Sequence, residues 1–549
     1  MASAPSLTVH ARQVIQSKSW RRLGAAFGWS AFAIGWTLFL TAVARHWRFG
    51  SSDNAIALLA GREMVQGNPF LRGWELPIDS WWLLDLLLLG LASLVFGFRE
   101  ILIHAVPAAL TVGLILAGTW VAGLDRPGRR RWVAAGVLLL VIGLPHLELV
   151  LVLLQGPQHQ SATLCCLAAI GLLSRARLGD GRFIGAVALL AVAVNADAVA
   201  IVVGVAPAAG AGLLDALRSR RLHALAMPLT AGAIAVAGAL GLRALVLVAG
   251  GFTNHRGVAY YDEWLTHLMA VPSVLGAIVG VRGSVDLNGV AALAHGLVAA
   301  LIGLAVMITA IRLVRGLLWS RPERSEEDGR EIRPRPGPGW IDDALLLGCL
   351  GGIATFALLT APGPARLSAR YLIPTLVYGA VLTARRAREF TLPLPGWPVA
   401  VAGAALAAVY FTSPLAAVRQ PAPPNPAEAV VTWLQANQLD RGYGPYWVAA
   451  ITTATAGGDV AVRPVEPAGS SLRPMTLLAS RRWFESDRRP FRFVMLQPTD
   501  YNGGDSGVTK SLVTATFGSP ARQVTFGPYE VLVWDQDLRP LLPSGAPRS

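Results

Sequence analysis

Long apolar runs separated by short polar loops dominate the chain up to Pro414. The first run, Leu23 to Ala44, follows a basic N-terminal segment and is long enough to cross a bilayer. This pattern predicts a polytopic α-helical membrane protein. Further runs of comparable length occupy residues 101–123, 132–154, 160–174, 224–249, 289–313, 341–361, 371–385 and 396–414.

Two apolar segments do not read as simple crossings. Trp81 to Phe98 contains Asp85, and a crossing there would put the cluster Arg126 to Arg131 on the outer face, so we expect an outer juxtamembrane helix. Phe183 to Leu214 is too long for one span and is interrupted at Asn195 to Asp197, so we expect two short helices that meet near the outer face. The chain then crosses about eleven times, with the N-terminus in the cytoplasm and the C-terminus outside the plasma membrane.

Composition agrees with this class. Of 549 residues, 54% are hydrophobic and only 15% are charged, which excludes an ordinary soluble globular domain. The net charge of +14 comes from arginine clusters in short loops, so it indicates topology in a lipid bilayer and not a nucleic-acid partner. The three cysteines lie in apolar runs, which leaves oxygen and imidazole as the ligands for any metal.

These patterns divide the chain into four parts. Residues 1–20 form a cytoplasmic tail, and residues 21–415 form a transmembrane domain with outer loops at 45–80 and 250–288. Residues 416–426 form a linker. Residues 427–549 are predicted to form a small extracytoplasmic α/β domain, with a helix from Ala427 to Gln438 and then short strand-like runs. The runs are Tyr446 to Ile451, Asp459 to Val465, Phe491 to Gln497, Gln523 to Phe526 and Tyr529 to Trp534.

Asp53 lies at the first turn of a short predicted helix that follows the first apolar run. Its carboxylate either caps the helix and interacts favourably with the helix dipole, or serves as a general base or metal ligand at the outer surface. The sequence leaves both roles open.

Three further polar residues lie near predicted outer helix ends. His159, between two spans, is either an interfacial polar residue or a ligand. Glu148 lies inside an apolar run, where a carboxylate is costly, and it is either a hydrogen-bonded structural acid or a site residue. Asp79 precedes a pair of tryptophans that marks the membrane interface.

Two outer segments combine cations with aromatic rings. The loop Thr253 to Trp264 contains Arg256, Tyr260 and Tyr261, and it is either a solvated loop or a surface for phosphate and sugar. Arg370 and Tyr371 lie where the chain re-enters the membrane. Because arginine is unusual on the outer side, Arg370 is a candidate phosphate ligand.

Several short motifs in this order resemble the GT-C superfamily of polyprenyl-phosphate-dependent glycosyltransferases, in particular the aminoarabinose transferase and protein O-mannosyltransferase branch. The resemblance covers most of residues 20–415. Its motifs are Ser52-Asp53-Asn54, Gly61-Arg62-Glu63-Met64, Leu76-Pro77-Ile78-Asp79-Ser80-Trp81-Trp82, Phe96-Gly97 with Arg99, Pro107-Ala108-Ala109-Leu110 and Arg370-Tyr371-Leu372-Ile373-Pro374. The segments Gly442 to Trp447 and Gly527 to Trp534 look like the outer domain that often follows such transferases.

The resemblance implies an enzyme that moves a sugar from a polyprenyl-phosphate carrier to an extracytoplasmic acceptor, which would be a cell-envelope glycan, lipid or protein. It implies Asp53 as the catalytic acid of the first loop and Arg370 as a ligand of the carrier phosphate. His159 stands near where the aminoarabinose transferases place a second acid, and this substitution leaves the metal question open. The candidate ligands of a divalent metal, Mg²⁺ or Mn²⁺, are Asp53 and His159. Asn54 replaces the usual Glu, which leaves the donor and acceptor preferences open.

Nine residues, including some with the roles above, are predicted to contact substrate. They are Asn54, Asp79, Glu148, His159, Arg256, Tyr260, Tyr261, Arg370 and Tyr371. The alternative function is a non-catalytic lipid-carrier-binding or transport protein on the same scaffold.

Overall fold

A computed structural model describes the chain at residues 6–47, 52–124, 130–255, 263–281, 289–319, 339–359, 365–387, 396–422, 425–485, 487–497 and 507–543. Arg256, Tyr260 and Tyr261 lie outside these residues, and their predicted roles stay predictions.

The part before the linker is helical. Its α-helices are α1 (Ser6–Trp47), α2 (Ser52–Val65), α3 (Leu87–Phe96), α4 (Leu102–Ala122), α5 (Arg130–Leu138), α6 (Leu147–Leu153), α7 (Gln160–Leu173), α8 (Gly181–Ala196), α9 (Ala206–Ser219), α10 (His223–Val248), α11 (Trp264–Ile278), α12 (Gly289–Trp319), α13 (Trp340–Leu358), α14 (Ile373–Arg386) and α15 (Gly396–Arg419). The π-helical turns Trp82–Leu86, Leu139–Gly143 and Ile201–Val205 and the 3₁₀ helix Ala365–Leu372 connect some of them.

The chain is a multi-pass membrane protein. Within the described residues, 6 helices are long and apolar enough to cross a bilayer, or 7 if a bent pair counts as one span. Shorter apolar helices such as α7 and α8, with 14 and 16 residues, fall below the usual spanning length. The predicted number of about eleven crossings therefore stays a prediction.

One predicted span is broken. Residues 132–154 were expected to cross as a single helix, but the structure bends this stretch by 94° between Gly143 and Leu147. Pro145 lies in the break, where it has no N–H to donate to a helical carbonyl. His146 then caps the new helix by accepting a hydrogen bond from the Leu149 N–H.

The interruption at Asn195 to Asp197 is present as predicted. Helix α8 ends at Ala196, and a second helical segment begins at Ile201. The Trp81 N–H donates to the Ala196 carbonyl at 2.9 Å. The first outer loop is thus fastened to the break between the two helices.

The apolar segment around Asp85 packs on the Asp53 helix. Helices α2 and α3 approach so closely at Gly61 and Gly90 that a Cβ on either glycine would overlap the backbone of the other helix. Only a residue without a side chain allows this contact. The juxtamembrane helix and the helix carrying Asp53 therefore form one packed unit.

The predicted outer loop 250–288 is not a plain loop. It contains α11, a 15-residue apolar helix with Pro272 inside it. The sequence pattern missed this helix because 15 residues are too few for a simple span and Pro usually breaks a helix.

After the linker, the chain forms a 6-stranded mixed sheet with strand order β5-β4-β3-β7-β9-β8. Strand β3 pairs in parallel with β4 and β7, whereas β9 pairs antiparallel with β7 and β8. The strands are β3 (Arg441–Gly444), β4 (Ala461–Ala468), β5 (Ser471–Pro474), β7 (Phe493–Leu496), β8 (Arg522–Phe526) and β9 (Tyr529–Val533), and the helices are α16 (Pro426–Ala436), α17 (Tyr446–Thr455), α18 (Arg482–Glu485) and α19 (Lys510–Phe517).

The strand prediction for Tyr446 to Ile451 is wrong, because these residues begin helix α17. Helix α17 is rich in alanine and threonine, and Pro445 occupies its N-cap position. A short apolar run of this kind does not distinguish a strand from a buried helix by its periodicity.

A second, 3-stranded sheet joins distant parts of the chain. It consists of β1 (Trp74–Leu76) between β2 (Thr253–Asn254) and β6 (Ala479–Ser480). The two predicted outer loops and the C-terminal part thus meet at one place.

The contact between α2 and α3 predicts a marked sensitivity at Gly61. Gly61→Ala should lower the thermal unfolding temperature of the purified protein in detergent, because overpacking a close helix contact costs about 1 to 3 kcal/mol. Gly35→Ala is the matched control, since a Cβ there meets nothing within 4 Å. An unchanged melting temperature for Gly61→Ala would show that the two helices do not pack this closely.

Candidate functional site

The centre of the site is a buried pair between His159 and Asp197. His159 is the N-cap residue of α7, and Asp197 follows the last residue of α8. The His159 Nδ1 lies 2.7 Å from Asp197 Oδ2, and the residues are 3% and 1% exposed. Because the carboxylate accepts, Nδ1 donates, which leaves Nε2 of a neutral imidazole with its lone pair. The buried Nε2 has no hydrogen-bond partner among the described residues.

Asp79 joins this pair from the first outer loop. Its carboxylate accepts a hydrogen bond of 3.3 Å from the Ala198 N–H, directly after Asp197. Burial, and then the neighbouring Asp197 carboxylate, raise the pKa of Asp79 to about 6. One ligand atom each from Asp79, His159 and Asp197 lie within 4.8 Å of one another.

Arg370 and Tyr371 cover the same cluster. The Tyr371 ring stacks on the His159 imidazole with a centroid separation of 4.5 Å. The Arg370 guanidinium carbon lies 5.5 Å from the centroid of the Tyr371 ring. Its Nε is buried without a partner among the described residues, so one guanidinium donor is available to a ligand.

Asp53 is a further carboxylate on which the Arg370 charge acts. The Tyr446 hydroxyl donates a hydrogen bond of 2.5 Å to Asp53 Oδ1. Burial raises the pKa of Asp53, whereas the Tyr446 hydrogen bond and the Arg370 charge act in the opposite direction. Arg370 also lowers the pKa of Asp79 electrostatically, so one guanidinium acts on both carboxylates.

Asn54 is buried against the turn that leads to His159. A Cβ at Gly156, whose φ is +76°, would overlap the Asn54 side chain. Glycine at position 156 therefore allows both the positive φ of the backbone and the close approach of the Asn54 side chain. This contact fixes the spacing between the Asp53 helix and the His159 turn.

The structure brings together five of the predicted residues: Asp53, Asp79, His159, Arg370 and Tyr371. Asn54 borders the group. Glu148 lies in the first turn of α6, and its role stays a prediction.

Two residues of the site were missed as site residues from the sequence. Asp197 appears there only as a helix breaker, although a carboxylate in a break between two apolar helices is itself a sign of a polar cavity. Tyr446 gives no local signal, because it belongs to the C-terminal part and reaches Asp53 only through the tertiary fold.

The metal-competent group differs from the predicted pair. Within the described residues it joins His159 to Asp79 and Asp197, and Asp53 is not a member. The cluster offers carboxylate oxygens and an imidazole nitrogen within 4.8 Å of one another, and these are ligand types that divalent cations take. A cation shared by all three residues would take the place of the proton between His159 Nδ1 and Asp197 Oδ2, so the hydrogen bond and the bound cation are alternatives.

A search of solved structures finds the same arrangement of helices elsewhere. The apo crystal structure of ArnT from Cupriavidus metallidurans superposes with a TM-score of 0.56 at 11% identity, and the match covers 95% of this chain and 100% of that chain. ArnT is a GT-C glycosyltransferase. This chain is similar to it in fold.

Two further likenesses are weaker. ArnT from Cupriavidus metallidurans bound to undecaprenyl phosphate gives a TM-score of 0.49 at 12% identity, covering 95% of this chain and 100% of that one. The Archaeoglobus fulgidus oligosaccharyltransferase in complex with Zn and sulfate gives 0.46 at 12% identity, covering 85% and 67%. No protein-family model and no curated protein sequence matches the chain. The likeness to the apo ArnT structure confirms the predicted GT-C likeness at the level of fold alone.

The His159 and Asp197 pair predicts a specific effect on metal binding. Asp197→Asn should weaken Mn²⁺ binding by about 10- to 100-fold, because the amide replaces a negatively charged carboxylate ligand with a neutral one. Electron paramagnetic resonance of Mn²⁺ titrated into the purified protein measures this affinity. Asp535→Asn, at an exposed position, is the control. Equal affinities in the two variants would contradict a metal site at this cluster.

Proposed function

We propose that the chain is an integral membrane glycosyltransferase that moves a sugar from a polyprenyl-phosphate carrier to an extracytoplasmic acceptor. The observation that carries the proposal is the convergence of Asp53, Arg370 and the His159 cluster on one site. A carboxylate near a fixed guanidinium is what a sugar transfer from phosphate to a hydroxyl requires. The resemblance of the motifs around Asp53 and Arg370 adds the polyprenyl carrier.

Arg370 is the proposed ligand of the carrier phosphate. Its Nε has no partner among the described residues, and its charge acts on Asp53 and Asp79. A guanidinium offers several donors in one plane and matches phosphate oxygens. It would therefore hold the donor and stabilise the charge that develops on the departing phosphate.

Asp53 is the proposed general base. In a single displacement, the acceptor oxygen forms a bond to the anomeric carbon while the bond from that carbon to the phosphate oxygen breaks. The electron pair leaves with the phosphate, and the acceptor proton moves to Asp53. Because burial raises the pKa of Asp53, its carboxylate binds a proton more readily than an exposed aspartate would.

A divalent cation, when bound by Asp79, His159 and Asp197, would supply further positive charge for the phosphate. Without it, these residues still order the site. The His159 ring supports Tyr371, and Tyr371 lies beside the Arg370 guanidinium. Glu148, Asn54 and the loop with Arg256, Tyr260 and Tyr261 are proposed to contact substrate, as their sequence positions suggest.

The proposal is tested by replacing Asp53. Purified protein in lipid is mixed with polyprenyl-phosphate mannose, glucose or aminoarabinose and a membrane-lipid and glycan extract as acceptor, and transfer of labelled sugar is measured. Asp53→Asn should lower the rate by about 100-fold or more, because it removes the base and keeps the side-chain shape. Asp535→Asn should transfer at the rate of the unaltered protein.

Equal transfer with Asp53→Asn and Asp535→Asn would contradict the catalytic role. If no donor sugar is transferred by the unaltered protein while polyprenyl phosphate binds to it, the non-catalytic lipid-carrier protein is the better description.

A further inference from the structure

The side chain of Tyr446 links the C-terminal part of the chain to Asp53. Its hydroxyl donates to Oδ1 of Asp53 and leaves Oδ2 for another partner. We propose that Tyr446 is a positioning residue, which holds the Asp53 carboxylate so that its second oxygen faces the acceptor hydroxyl. This inference rests on the proposed function of Asp53 as a base.

Helix α17 carries Tyr446 and is packed directly on the Asp53 helix. Ala450, Ile451 and Ala454 are buried in the same apolar cluster as residues 55–59 of α2. Tyr446 and these residues lie on one side of α17, since they are separated by about one or two helical turns. The apolar contact therefore fixes the distance and direction of the hydroxyl.

Polar contacts hold the C-terminal part in place at two further points. Glu100 accepts hydrogen bonds from Asn425 and Thr455, at 3.0 Å each, and Thr455 is the last residue of α17. Glu63, on the Asp53 helix, accepts from the Trp483 indole N–H at 2.6 Å and from the Trp74 indole N–H at 2.9 Å. The contact between Tyr446 and Asp53 is thus one part of a larger interface with α2.

Among the described residues, the ionisable groups that act on Asp53 are Tyr446 and Arg370. Arg370 acts on it from the 3₁₀ helix. On α2 itself, the Arg62 guanidinium lies 4.3 Å from the Phe98 ring centroid, and Glu63 binds the two indoles. On the packed neighbours, Asp85 accepts from Ser161, and His104 is buried in α4.

The hydrogen bond has a predictable electrostatic effect. A donor to a carboxylate stabilises the charged form, so the Tyr446 hydroxyl lowers the pKa of Asp53 against the effect of burial. Tyr446→Phe removes the donor and should raise the pKa of Asp53. A larger fraction of Asp53 is then protonated at neutral pH and unable to act as a base.

The experiment compares Tyr446→Phe with Tyr443→Phe in the full-length protein. Tyr443 has the same residue type in the same part of the chain, but its ring is stacked on Phe484, Phe491 and Phe517, away from Asp53. Carbodiimide labelling of Asp53, which requires the protonated carboxyl, is followed by mass spectrometry as a function of pH. The midpoint of labelling reports the titration of Asp53, independently of any transfer reaction.

The proposal expects the labelling midpoint to move to higher pH in Tyr446→Phe and to stay in place in Tyr443→Phe. The acid limb of the transfer rate should move in the same direction, with kcat about tenfold lower at neutral pH, as expected from the loss of one hydrogen bond to a charged group. The KM for the donor should be unchanged, because the donor phosphate is proposed to bind Arg370 and not Tyr446.

If the labelling midpoint of Tyr446→Phe equals that of the unaltered protein, the proposal is overturned. A lower stability of the variant does not change this conclusion. If the unaltered protein transfers no sugar, the proposed function fails. The midpoint still decides whether Tyr446 controls the Asp53 carboxylate.

Discussion

The buried hydrogen bond between His159 and Asp197 is the interaction on which the site depends. A carboxylate buried away from water is costly unless its oxygens accept hydrogen bonds. Asp197 meets this requirement by ending one helix, accepting from His159 and accepting from the Val199 N–H of the next segment at 2.9 Å. The break between α8 and the following helix is therefore a consequence of placing a carboxylate there, and it also holds the first outer loop.

The site is assembled from parts of the chain that are far apart in sequence. Asp53 comes from the first outer loop, His159 from the start of α7, Arg370 from a 3₁₀ helix and Tyr446 from the C-terminal part. The small sheet of β1, β2 and β6 and the Glu63 hydrogen bonds join the segment that carries Asp53 to the C-terminal part that carries Tyr446. In this arrangement the C-terminal part belongs to the site and is more than an appended domain.

Much of this arrangement is predictable from sequence because bilayers impose strong rules. The apolar runs indicate most helices, and the polar interruption at Asn195 indicates two short helices instead of one. The bend at Pro145 and helix α11 were missed, because hydropathy detects apolar length but not the direction of a helix. Asp53, His159 and Arg370 were predicted from their positions at predicted outer helix ends and from the family resemblance. Asp197 and Tyr446 required the tertiary structure, since their partners are 38 and 393 residues away.

The most direct test of the proposed site is a crystal or cryo-electron microscopy structure of the full chain with polyprenyl phosphate and Mn²⁺. We expect the phosphate to bind to the Arg370 guanidinium and Mn²⁺ to bind to Asp79, His159 and Asp197. Asp53 should face the same cavity. A phosphate bound away from Arg370, with no Mn²⁺ at the three residues, would contradict the proposed site.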